Sequence, residues 1–448
     1  MSAVIEKIEY ESVGETVYTG ELPNGLKIFV VKKPGFSSAY AVFGTHYGGA
    51  LRRFEIDGEK IDTPAGVAHF LEHKMFDMPD GNDALTAFSK NGADANAFTS
   101  SDLTCYHFSC TSRFEENLRL LLKFVSTPYY TPETVQKEQR IIQQEILMGD
   151  DSPVRRIYYN LLSILFAHHP IRDAVVGTVE SIAEITDKTL YDCHRVFYAP
   201  SNMMLCVEGD VDPEAVFSIA EEMLPPERHS IPHADFGEDE GLLPLKERIE
   251  EKMPVAVPVF LLGAKMRSVP LDGSRESVQR RIRERLIAAL SMRLLFSSSA
   301  PLFTRLYADG TLTQDFDYDT DYAADAPIVI VGAEAPDIEK ALQEVHAEIA
   351  RISSGGFDPA YFDRIKKATI GSRLRGLEDF DNVCITLVGD WFDGFCTFDA
   401  MEMLQDITRE DCSRWVAENL APERCAVSVL YPPEGPAGAA QEADEETA

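Results

Sequence analysis

Two long stretches of this chain run through the same succession of strand-like and helix-like sequence, on either side of a segment suited to neither. That segment passes from Pro225 and Pro226 through Gly237-Glu-Asp-Glu-Gly241 to Pro244, and its Pro, Gly and acid content reads as a linker. Apolar runs that fit strands open each flank: Leu26 to Val31 and Ala39 to Gly44 in the first, Val255 to Gly263 in the second. Ala93 to Cys110 then alternates like paired strands. It leads into an amphipathic run from Phe114 to Ser126, a Thr131-Pro132 helix start and a helix reaching about Met148. The second flank repeats this order with Phe316 to Tyr322, Ile328 to Val331, the helical run Ile338 to Ile352 and an Asp358-Pro359 start to a helix reaching about Arg375. Such internal repetition predicts an α+β fold of two tandem homologous domains, each a mainly antiparallel β-sheet with helices packed on one face. The expected boundaries are 1–225 for the first domain, 226–244 for the linker, 245–432 for the second domain and 433–448 for a disordered acidic tail.

Charge narrows the partners. The 448 residues carry 42 Lys plus Arg against 74 Asp plus Glu, a formal net charge of −32, which repels phosphate backbones and anionic lipid. No nucleic-acid or membrane partner is expected. The N-terminal residues show no basic region followed by an apolar run, and no stretch of about 18 consecutive apolar residues occurs, so a soluble, non-secreted protein is expected. Eight cysteines, at 105, 110, 193, 206, 384, 396, 412 and 425, form no CxxC pair, which fits reduced thiols in the cytoplasm.

The chemistry lies in Gly66-Val-Ala-His69-Phe-Leu-Glu72-His73-Lys-Met-Phe76, which contains the pattern HxxEH. At about 100° per residue on a helix, His69, Glu72 and His73 share one sector, while Val67, Phe70, Leu71 and Met75 point elsewhere. Two imidazoles one turn apart can hold a single Zn²⁺, and a carboxylate between them can act as general base. A third protein ligand is required. Glu138 and Glu145, seven residues apart and on nearly the same face of the helix after Pro132, are the candidates, one to ligate and the other to orient a histidine.

On these residues the chain resembles the pitrilysin/insulinase family of inverted zinc peptidases, which includes the mitochondrial processing peptidase; it is most similar to the bacterial two-domain, YmfH-type subgroup. The resemblance extends through Asn91-Gly-Ala-Asp-Ala-Asn96-Ala-Phe-Thr99, Asp151-Ser-Pro153, His169-Pro170, Gly177-Thr-Val-Glu-Ser-Ile182 and Tyr198-Ala-Pro-Ser-Asn202. It implies a metalloendopeptidase in which His69, His73 and Glu145 bind Zn²⁺, Glu72 is the general base and Glu138 supports the ligands from behind. It also implies that Asn96, Ala97, Phe98 and Thr99 form an exposed edge to which a peptide substrate adds as a β-strand.

The second half departs from the family pattern. Where single-chain active members place an Arg and, seven residues on, a Tyr, this sequence has Tyr307 and Gln314; Arg305 stands nearby, but seven residues beyond it is Leu312. The segment from Arg281 to Phe296 also lacks HxxEH. The resemblance therefore implies a heterodimer with a zinc-free homologue that carries the Arg/Tyr pair, or a homodimer in its absence. The alternative is a non-catalytic, processing or assembly subunit built on the same fold. His168 and His169 are adjacent and point apart, so capping or packing is expected of them; His107 is expected to pack on a strand.

Overall fold

A computed structural model describes residues 4–79, 81 and 83–433. The segment expected to be a tail, 433–448, lies outside the described residues except for Pro433. The first sheet has seven strands in the spatial order Glu6–Tyr10, Glu15–Glu21, Lys27–Lys32, Met203–Gly209, Ala39–Thr45, Thr104–Cys110 and Ala93–Thr99. The second has five, in the order Arg248–Lys252, Cys425–Tyr431, Val259–Lys265, Ile328–Glu334 and Asp317–Asp321. Each sheet contains one parallel pair, Lys27–Lys32 with Met203–Gly209 and Arg248–Lys252 with Cys425–Tyr431; the other pairings are antiparallel. The expected α+β architecture is therefore what the chain adopts.

Local punctuation explains where the helices begin. Thr131 accepts a hydrogen bond from the Thr134 amide in a capping box, with Pro132 at the first helical position, and the helix runs Pro132–Asp150. Ser152-Pro153 and Asp358-Pro359 start the helices Pro153–Leu165 and Pro359–Gly376 in the same way. On its helix-bearing side the first sheet buries Phe43, Phe70, Phe88, Tyr106 and Phe124; the second buries Phe260, Leu286, Phe296 and Val345.

The opposite face of each sheet is covered by a helix from the other half. Phe380–Phe392 packs its Val383, Cys384, Leu387 and Val388 against Phe29, Tyr40, Val42 and Met204 of the first sheet. Reciprocally, Pro153–Leu165 packs Leu161, Leu162 and Leu165 against Ile328, Ile330 and Ala426 of the second. Glycine makes room at matching strand positions. A β-carbon on Gly44 would lie 2.7 Å from Val388 Cγ1, and one on Gly263 would lie 2.7 Å from Leu161 Cδ2.

The segment expected to be a linker is mostly exposed and touches the first half at separate points. His233–Ala234 pairs with Glu55 and Phe54 in a small three-stranded sheet, and the Asp235 amide donates to Arg53 O at 2.8 Å. Further on, the Glu240 carboxylate accepts the backbone amides of Ala167, His168 and His169. The stretch Arg275–Ala308 is long and apolar enough to cross a membrane, but 67% of its apolar window is buried inside the protein, where it acts as core.

Candidate active site

The HxxEH segment forms the helix Val67–Met75. Its N-cap is Gly66, at φ 95°, a left-handed conformation in which a β-carbon would also meet Val176 O at 2.7 Å, so glycine is needed on both counts. Val67, Phe70, Leu71 and Met75 sink into the core, which leaves His69, Glu72 and His73 together on the remaining sector. The helix Pro132–Asp150 crosses beside it, anchored by Val135, Ile142 and Ile146.

Glu145 closes the cluster. Its two carboxylate oxygens lie 3.5 Å from His69 Nε2 and 3.6 Å from His73 Nε2. Tetrahedral ligands about 2.0–2.1 Å from a zinc ion stand roughly 3.3 Å from one another; one donor atom each from His69, His73 and Glu145 lies within 4.8 Å of the other two, so the set can close on such an ion by drawing inward. Behind it, Glu138 Oε1 lies 3.0 Å from His73 Nδ1, which fixes the ring with Nε2 facing Glu145. Glu72 does not join the ligands; its Oε2 accepts a hydrogen bond of 2.6 Å from the Thr99 hydroxyl.

The environment sets the charge states. Burial pulls His69 down to about 3, with His73 and Arg155 adding to the effect, so the ring is neutral, the form that ligates metal. His73 is also disfavoured by burial as a cation, but the bond to Glu138 and the charges of Glu138, Glu72 and Glu145 outweigh it and raise its pKa. Glu72 is raised by burial, opposed by the Thr99 bond and by His73, and pushed further by Glu145. A carboxylate held above its ordinary range is more willing to carry a proton.

Asn96, Ala97, Phe98 and Thr99 lie on the outermost strand of the first sheet, paired on one side only, with His107, Tyr106, Cys105 and Thr104. In the second half, Arg305 pairs with Glu344, while Tyr307 stacks on Phe303 with 55% of its surface exposed. His169 caps a short 3₁₀ turn by accepting the Ile171 amide and stacks on Phe236; His107 stacks on Tyr40. All eight cysteines are free thiols.

Two supports of the edge strand escaped the sequence. Gly48 lies against the turn after it, where a β-carbon would be 2.4 Å from the Asp102 amide, and Gly49 donates to Ser100 O at 2.9 Å. Asp102 in turn accepts the amide of Ala324, a second-half residue at φ 54°, at 3.1 Å. His46-Tyr47-Gly48-Gly49 could have marked the first as a tight approach; nothing in sequence spacing joins positions 222 residues apart.

A duplicated α+β frame that carries a His-His-Glu cluster with a further carboxylate beside it is the architecture of two-domain metallopeptidases. Residues 58–179 match the family model for insulinase (peptidase family M16), and residues 184–369 match that for the peptidase M16 inactive domain. The chain is 35% identical over 436 residues to the uncharacterized zinc protease YmfH of Bacillus subtilis, covering 96% of this chain and 100% of that protein. The crystal structure of an M16-like peptidase from Alicyclobacillus acidocaldarius superposes with a TM-score of 0.87 at 30% identity, over 94% of this chain and 99% of the other. A protease from Helicobacter pylori shares the fold at a TM-score of 0.79 and 19% identity, over 96% and 100% of the two chains. The chain belongs to the M16 insulinase family.

Proposed function

We propose that this protein is a zinc endopeptidase that hydrolyses short or unfolded peptides in the reducing cytoplasm. The observation that carries the reading is the placement of Glu72, anchored by Thr99 and free of the three-ligand cluster beside it. His69, His73 and Glu145 hold the zinc ion, and Glu138 holds His73 in register. A zinc ion held by these three residues would supply a Lewis acid for the scissile carbonyl and a lowered pKa, about 7, for water. Glu72 takes the proton of the attacking water and hands it to the departing amine. The open edge from Asn96 to Thr99 takes the substrate as an added strand, through main-chain hydrogen bonds that a folded protein cannot offer.

Full activity requires a second subunit, a zinc-free homologue that supplies the Arg/Tyr pair, or a second copy of this chain. Tyr307 and Gln314 in place of that pair support this, as does the match of the second half to the inactive-domain family. The same match favours the second reading, a non-catalytic assembly subunit. Against it, an assembly subunit has no need of three converging donors and a positioned base.

Glu72→Gln separates the two. The variant and the wild type are both expected to bind one zinc ion, while the variant's cleavage of an unstructured peptide falls by about 10²–10⁴. Unchanged cleavage would overturn the mechanism.

A further inference from the structure

Gly44 and Gly263 occupy matching positions in the two sheets, and the ladders lead outward from them to matching edges. One residue on, Thr45 pairs with Thr104 and Thr104 with Thr99; in the second sheet Ala264 pairs with Val329 and Val329 with Thr320. Thr99 and Thr320 therefore stand at equivalent places, each at or next to the end of an outer strand and just before a turn. The two turns meet. Asp102 Oδ2, in the first, accepts the Ala324 amide of the second at 3.1 Å, and the His46 ring, which feels the Asp102 charge, stacks on Phe392 of the second half at 4.9 Å.

The Asp102 carboxylate spans this contact. Its other oxygen, Oδ1, accepts the Ser100 hydroxyl at 3.2 Å, and that hydroxyl accepts the Leu103 amide at 3.1 Å, so one side chain ties the turn after Thr99 to the backbone of the second half. On the far side of the contact Ala324 and Asp325 sit at φ 54° and 55°, neighbouring left-handed residues without glycine's freedom. Such a conformation costs free energy, and it occurs where an amide is presented to Asp102.

From Asp102 the bonds lead back to Glu72. Ser100 adjoins Thr99, whose hydroxyl donates to Glu72 Oε2 at 2.6 Å and lies 3.2 Å from the Thr104 hydroxyl. Glu72 Oε1 has no hydrogen-bond partner among the described residues and is left for the attacking water. Thr99 belongs to a strand paired on one side only, so the turn beyond it decides where its hydroxyl points. A reacting group misplaced by about 1 Å can lose about a hundredfold in rate.

We infer that Asp102 is a positioning residue for peptide hydrolysis: by bridging Ser100 to Ala324 it lets the second half set the Thr99 hydroxyl and, through it, the carboxylate of Glu72. The inference rests on the peptidase reading. It gives the half that matches an inactive-domain family a part in the chemistry without contact to substrate or metal.

Steady-state cleavage of an unstructured fluorogenic peptide by the zinc-loaded full chain tests this. Asp102→Ala is expected to lower kcat at least about tenfold while KM stays within about twofold. Asp102→Asn, which keeps an oxygen for the Ala324 amide, is expected to recover most of the loss. A double-mutant cycle with Thr99→Val separates positioning from general support: with the hydroxyl gone, Asp102→Ala is expected to cost nothing further, whereas a residue that only stabilises the seam would lower kcat equally in both backgrounds. Zinc affinity, read by competition with a chelator dye, is expected to be the same in every variant. Should Asp102→Ala not fold, Asp102→Ser, whose hydroxyl stops short of the Ala324 amide, takes its place with the same expectations. Unchanged kcat in Asp102→Ala, no recovery in Asp102→Asn, additive losses in the cycle or weakened zinc binding overturns the inference. Wild-type cleavage without these losses removes the positioning role alone; a wild type that cleaves nothing, by itself or with a homologous partner, removes the peptidase reading and the inference with it.

Discussion

Val388 sits directly over Gly44, so closely that a β-carbon on the glycine would be 2.7 Å from its Cγ1. Gly44 is in the first sheet and Val388 on a helix of the second half, so the seam between the halves depends on a missing methyl group. Gly44→Ala is expected to destabilise the protein by about 1–3 kcal/mol, the usual cost of overpacking a tight core. Adding Val388→Ala should restore part of the loss. Urea unfolding of the single and double variants measures both, and purely additive effects would show that the two residues do not compete for this space.

Glu138 acts on the metal through His73. Replacing it with Ala is expected to weaken zinc binding by roughly 10–100-fold, with Glu138→Gln falling in between because its amide oxygen can still accept from Nδ1. Competition with a metal-sensitive chelator dye reads this without any reference to activity. Equal affinity in all three proteins would remove Glu138 from the site.

Much of this was readable in the chain because its signals are local. Phe114–Ser126 was bounded by its amphipathic pattern alone, and Asp358-Pro359 marked a helix start with its own cap and φ. HxxEH needs only helical geometry to bring its polar side chains together. The second-half strand, expected from Val255, begins instead at Val259, because Pro254 and Pro258 have no amide hydrogen to give a ladder. His233–Ala234 could not be foreseen as a strand, since two residues have no period and their partners lie far back at Glu55 and Phe54. The exchange of helices was equally hidden: the apolar stripe of Pro153–Leu165 says that it is buried, and not beneath which sheet. Thr99 was legible as part of the edge strand, but its hydroxyl bond to Glu72 depends on the register of a hairpin against a helix.

A buried carboxylate makes the seam sensitive to alkali. Glu208 is fully buried in the first sheet, 3.2 Å from Lys33, which is shared with Glu15 at 2.5 Å. Burial outweighs Lys33 and pushes Glu208 from 4.5 up to about 8. The folded protein thus holds this proton more tightly than the unfolded chain, and the stability it confers is complete below pH 4.5 and lost as pH rises to about 8. Glu208→Gln removes that slope. Its stability relative to wild type should rise by a few kcal/mol across this window in denaturant titrations at fixed pH, and a flat difference would contradict the assignment.

Purified alone, the protein is expected to cleave unstructured peptides slowly. A zinc-free homologue bearing the Arg/Tyr pair should raise kcat/KM by at least about a hundredfold, the order of effect of groups that stabilise a developing oxyanion. Steady-state kinetics over a range of mixing ratios, with sedimentation to count subunits, measures it. Ordinary enzymatic rates from the isolated chain would show that no partner is needed.

The crossed helices also set a timetable for synthesis. The last strand of the first sheet ends at Gly209, but the helix that covers its second face is finished only at Phe392. At about 5–20 residues per second the ribosome needs roughly 10–35 s to make the intervening stretch. For that time Phe29, Tyr40, Val42 and Met204 face water on every nascent chain, and any stalled or truncated product keeps them exposed. Such a chain offers this apolar face to whatever binds such surface at the tunnel exit, and the face is covered only once the second half has been translated.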